Sequence, residues 1–81
     1  MSSEPAYDPL GAVPRYLQIA RILRARIESG ALEPDRPIPS EKAVEQEFGV
    51  ARQTARHAVA LLREWGLVQT VPGLGTYVIR R

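Results

Sequence analysis

A chain of 81 residues without cysteine forms one small domain at most and offers neither a disulfide framework nor a thiolate zinc site; it suits a reducing compartment, the cytoplasm. Nothing in it approaches the roughly 20 consecutive apolar residues of a membrane span, and the opening "MSSEPAYDPLGAV" lacks the basic start and apolar run of a secretory signal. Residues 1–13 hold Glu4 and Asp8 and no base, so all 11 Lys and Arg face the other 7 of the 9 acids beyond Val13; the net +2 of the chain becomes +4 there, which suits a polyanionic partner.

Pro5, Pro9, Gly11 and Pro14 punctuate residues 1–13 and predict a flexible arm, extended or disordered, ahead of a folded unit spanning 14–81. From Tyr16 the apolar residues Ile19, Ala20, Leu23 and Ile27 recur at helical spacing, and Gly30 supplies a stop. "ALEPDRPIPS" carries three prolines and cannot be helix interior, which places Ile38 in a short extended piece. Ser40 is a good N-cap for a second helix, Glu41 suits its positive end, and Ala43, Val44 and Phe48 form its apolar stripe up to Gly49. A third helix over 51–65 follows a turn of three or four residues, the helix-turn-helix spacing. "LVQTV", "PGLG" and "TYVIR" then read as strand, tight turn and strand, a wing. The expected fold is mainly α with a small β-hairpin: a winged helix-turn-helix of three helices.

Projected at 100° per residue, the third helix gathers Thr54, Ala55, Ala58, Leu61, Leu62 and Trp65 on one side. Arg52, Gln53, Arg56, Ala60 and Arg63 gather opposite, with His57 and Glu64 at a margin and Val59 among the exposed set. In a helix-turn-helix the N-terminal part of this helix enters the major groove. Arg52 and Arg56, four apart, can fork onto guanine O6 and N7 or clamp phosphate, and Gln53 can pair with adenine N6 and N7. A solvated helix face is the alternative.

Thr54 points toward the core on the wheel and can cap, pack or touch a phosphate. His57 has no companion at ligand spacing, which leaves a phosphate contact at the rim or plain solvation rather than a metal. Lys42 lies in the first turn of the second helix, where a backbone phosphate would approach. Gly73 and Gly75 are turn residues whose small size also lets the wing backbone come close to DNA. Trp65, Tyr16 and Phe48 read as core aromatics. Without a nucleophilic cysteine, a carboxylate pair beside the one histidine, or a phosphate-cradling glycine loop, no enzyme activity, metal or cofactor is expected.

Three stretches, "PRYLQIARILRARIESGAL", "IPSEKAVEQEFGVARQTARHAVALLREWGLV" and "GLGTYV", together resemble the N-terminal DNA-binding domain of the GntR family of bacterial transcription regulators, in its HutC and YtrA-like branches. The resemblance runs from Pro14 to about Ile79. It implies sequence-specific binding to a palindromic double-stranded operator, as a two-fold pair, by a regulator that is a repressor by family habit. It also implies contacts from Lys42, Arg52, Gln53, Thr54, Arg56 and the wing at Gly73, with Gln53 at a variable position that tunes sequence choice.

The chain departs from the family pattern at Ala51, where Ser or Thr is usual, at Lys42 in place of Arg, and at Pro72 and Leu74, where polar or basic residues are common. Only Ile79, Arg80 and Arg81 follow the wing, so no small-molecule effector is expected for this chain. The competing readings are a winged helix that docks onto a protein partner and a DNA-architectural accessory factor.

Overall fold

The structure is a computed structural model that describes residues 4–80. Three helices, α1 (Arg15–Ser29), α2 (Glu41–Phe48) and α3 (Arg52–Glu64), precede a hairpin of β1 (Val68–Val71) and β2 (Gly75–Val78). This is the winged helix-turn-helix read from the sequence. Of the expected arm, residues 1–3 lie outside the described residues, as does Arg81.

The local signals act as their chemistry dictates. The Ser40 hydroxyl accepts from the Ala43 amide at 3.1 Å and so opens α2. Gly30 ends α1 at φ 87° and Gly49 ends α2 at φ 63°, left-handed geometry that costs glycine least. Ala43, expected in the apolar stripe of α2, is instead exposed, and only its amide is engaged. Val44 carries the packing of that helix.

Fully buried Ile19 and Leu23 of α1, Val44 of α2 and Ala55, Ala58 and Leu62 of α3 form one core, closed by Val78 of the hairpin. Val59, expected on the exposed side, is buried at 3% exposure. The cause is the "RPIP" stretch, which pairs with the wing as a third extended segment. The Ile38 amide donates to Thr76 O and the Val78 amide to Arg36 O, both at 2.9 Å, and Pro37 bridges Tyr77. Ile38 and Val59 thereby join the same core cluster.

Residues 4–13 run against the helices. Gln18, a polar residue on the packed face of α1 at 9% exposure, accepts from the Asp8 amide at 2.8 Å and donates to Asp8 O at 2.8 Å and Val13 O at 2.7 Å. Tyr7 meets Phe48 of α2 edge-on at 5.1 Å between ring centroids. Arg26 bridges Glu4 of the arm and Glu47 of α2. A wheel cannot anticipate these contacts, because Gln18 satisfies backbone groups from a segment with no periodicity of its own.

The hydrogen bond from Arg26 holds the Glu47 carboxyl below the ordinary carboxylate range, against the opposing effect of its partial burial. A depressed acid stabilises the fold above its unfolded value, and that contribution is lost as pH falls through the folded value. Urea denaturation is therefore expected to show wild type more stable than Glu47→Gln at pH 7, with the two curves converging as pH falls below the ordinary glutamate value of about 4.3 and through the lower folded value. Ser40→Ala is expected to cost about 1 kcal/mol at neutral pH in the same assay, because it removes the α2 cap without touching the core.

Candidate nucleic-acid interface

The seat of α3 decides which of its side chains face outward. Its buried residues, Ala55, Ala58, Val59 and Leu62, centre the inner face about 50° from the centre expected on the wheel, rotated toward Arg52. Thr54, Leu61 and Trp65, which the wheel assigned to the core, are consequently only half-buried. The Arg24 guanidinium lies over the Trp65 ring at 4.5 Å from its centroid. Gln53 moves to the middle of the outward face, and Arg52, Arg56 and Arg63 take the flank nearer the wing.

Arg52, Gln53, Arg56, His57 and Arg63 are all exposed. Gln53, Arg56, His57 and Arg63 border one shallow depression with Ala60 and with Glu41 from the start of α2. Among the described residues the ion pairs engage only Arg26 and Arg80, so Lys42, Arg52 and Arg56 have no acid within salt-bridge distance. Arg63 donates to the Thr70 hydroxyl of β1 at 2.7 Å, which ties the end of α3 to the wing. The start of α3 adds to the positive field: Ala51 provides no side-chain cap, and no acid occupies the first turn.

His57 is exposed yet held. Its ring stacks on Tyr16 of α1 with centroids 3.6 Å apart and planes within 6°. Tyr16 is half-buried and packs against the core, as Phe48 and Trp65 do. Sequence periodicity gave no sign of the pair, which joins two helices.

Lys42 and Arg52 line a second, wider groove that runs from the α2–α3 turn to the wing, where Leu74, Gly75 and Thr76 form the far wall. The wing tip is a tight turn in which the Leu74 amide donates to Val71 O at 3.0 Å. Pro72 and Gly73 occupy its centre, and Gly73 has φ 80°, the type II arrangement that favours glycine at its position. Gly73 thus sits at the tip, apart from the cations on the helices. Thr54 sits away from the Gln53-centred face, toward the core side of α3. Residues not singled out as site candidates from sequence also border these surfaces, among them Glu41, Glu45, Arg63 and Leu74. For Leu74 the available signal was an apolar residue beside a turn glycine.

The family model for bacterial regulatory proteins of the gntR family matches residues 15–78. The HTH-type transcriptional repressor NagR of Bacillus subtilis (strain 168) is 41% identical over 66 residues, which span 82% of this chain and 27% of NagR. The mannosyl-D-glycerate transport/metabolism system repressor MngR of Escherichia coli (strain K12) is 42% identical over 69 residues, 85% of this chain and 29% of MngR. The chain therefore spans less than a third of the length of these curated relatives. The crystal structure of AraR(DBD) in complex with operator ORX1 is similar with a TM-score of 0.79 at 38% identity, over 88% of each chain. No described helix is long and apolar enough to cross a membrane. With a family model covering nearly all of the folded residues and the same winged helix in a solved relative, this chain belongs to the GntR family of bacterial regulatory proteins.

Proposed function

We propose that this chain binds double-stranded DNA sequence-specifically as a cytoplasmic transcriptional repressor, two copies sharing a palindromic operator. The carrying observation is the outward face of α3, where arginines without acid partners flank Gln53 on its wing side at the groove-entering end of a helix-turn-helix. The repressor relatives NagR and MngR and the operator complex of AraR support the same reading.

In this complex Gln53 and Arg56 meet base edges in the major groove. Arg52 and Lys42, on the groove side, clamp the neighbouring phosphates, where the first turns of α3 and α2 add their positive ends. His57, braced by Tyr16, meets phosphate at the rim, and Thr54 touches the backbone from the start of α3. Gly73 lets the wing backbone come close to the duplex. Two copies related by a two-fold axis place their α3 helices one helical turn apart, about 34 Å.

Selection from a random duplex pool is expected to enrich a palindrome with half-sites at that spacing. If about six phosphates are neutralised across the site, affinity falls roughly a thousandfold between 50 and 200 mM salt. A shallow salt dependence with no enriched sequence would sink the proposal. Arg52→Ala is expected to weaken all sequences alike and to lower the salt slope by about one per copy. Arg56→Ala is expected to lose about 1–3 kcal/mol and to relax the preference at one base pair. Both variants should retain the wild-type circular dichroism spectrum. Undiminished DNA affinity in the double variant would instead assign the cationic face to a protein partner.

A further inference from the structure

Tyr16 and Arg24 mark the side of α1 that meets α3, through His57 and Trp65. Gln18 and Arg21 lie on another side of the same helix, and there the arm presents a projection beside a hollow. Leu10 is 92% exposed, the most of any large apolar side chain among the described residues. Next to it, Pro5, Ala6, Ala12 and Val13 of the arm meet α1 around an open pocket of about 270 Å³, with Asp8 and Arg21 at its rim. A single exposed leucine is ordinary on a protein surface. Here leucine and pocket adjoin, because Leu10 falls in the chain between Asp8 and Gly11, both of which line the pocket.

The projection is held in shape. The Leu10 amide donates to Asp8 Oδ1 and the Gly11 amide to Asp8 O, both at 3.1 Å, which closes a turn with Pro9 and Leu10 at its centre. Gln18 fixes the backbone on either side of that turn through Asp8 and Val13. Gly11 packs so near the Asp8 carboxylate that a Cβ there would lie 2.8 Å from Oδ2. The turn is therefore ordered before anything meets it, and a partner has little freedom to remove. The charges at the rim are a second observation. Among the described residues neither Asp8 nor Arg21 has an ion partner, although both border the pocket.

A partner suited to this face brings an apolar side chain for the pocket, an apolar hollow for Leu10, a base for Asp8 and an acid for Arg21. The same face of a second copy brings all four. That is the condition for a two-fold contact, in which each residue of one copy meets its complement on the other. We infer that the arm face is a self-association surface: Leu10 of each copy enters the pocket of the other, and Asp8 of each pairs with Arg21 of the other. One turn and one helix side per copy bury less than the roughly 1,200 Å² of a standard interface, so the contact is weak, with a dissociation constant on the order of a millimolar. It leaves the outward face of α3 open. The inference goes beyond the DNA-binding reading and does not depend on it.

The test follows the amide NMR shifts of the 81-residue chain, without DNA, from about 0.05 to about 2 mM. Wild type is expected to show concentration-dependent shifts at residues 8–12 and around Arg21, and none on the outward face of α3. Leu10→Ser and Arg21→Glu, both changes at exposed positions, should keep the rest of the spectrum and weaken self-association about tenfold, which leaves only a small fraction of those shifts. Asp8→Arg should act likewise, since Gln18 bonds only the backbone of Asp8. An equimolar mixture of Arg21→Glu and Asp8→Arg sets acid against base at both rims again and should restore the shifts. Wild-type shifts that are absent up to about 2 mM, that fall on another face, or that survive in Leu10→Ser would overturn the surface, and a silent mixture would overturn the pairing of Asp8 with Arg21. No DNA enters the measurement, so a failure of operator binding bears on the DNA-binding reading alone.

Discussion

The close seating of α3 on α1 and α2 is the constraint on which the other features depend. Ala55 and Ala58 place no more than a methyl group between α3 and its neighbours, and Leu62 fills the space further along; all three are fully buried. Larger residues at the alanines would push α3 outward and alter the angle at which Gln53 and its arginines are presented. The rotation of the buried arc toward Val59 couples α3 to the Ile38 segment, and that segment to the wing. The groove-entering helix and the hairpin are thereby parts of one packed unit.

Charge is divided along the same lines. Two arginines that serve the fold have acid partners: Arg26 lies between Glu4 and Glu47, and Arg80 pairs with Asp35 at 2.6 Å. The hydrogen bonds to Glu47 and Glu4 raise the pKa of Arg26 further, so that side of the molecule is internally compensated. Lys42, Arg52 and Arg56 lack such partners and share one side with two helix starts. Unpaired like charges repel modestly in water. Against a polyanion the same cations release counterions, so leaving them without direct ion pairs, beside Glu41 and Glu45, is costly alone and favourable in complex.

The departure at Ala51 has a structural counterpart. Without a capping oxygen, the first amides of α3 depend on solvent or a ligand for their hydrogen bonds, while at α2 the Ser40 hydroxyl satisfies the Ala43 amide. The two helix starts thus differ in their local stability. The one in the groove-entering position is the less satisfied, and a phosphate there would supply what the missing side chain does not.

Much of this molecule was determined by local chemistry that a sequence displays. Helix stops at Gly30 and Gly49, the Ser40 cap, the proline-rich break before α2 and the turn at Pro72 and Gly73 are decided within a few residues of themselves, by steric limits on φ and by nearby donors and acceptors. The cluster of Arg52, Gln53 and Arg56 was legible for the same reason, since helical periodicity alone puts those residues on one side. Tertiary structure decided what periodicity could not: the burial of Val59 by the Ile38 segment, the anchoring of the arm by Gln18, the stacking of His57 on Tyr16, and the placing of Leu74 opposite Lys42 and Arg52. Each depends on a partner distant in sequence. A helical wheel gives the direction of a side chain about its own axis, whereas what lies in that direction is set by how the elements pack.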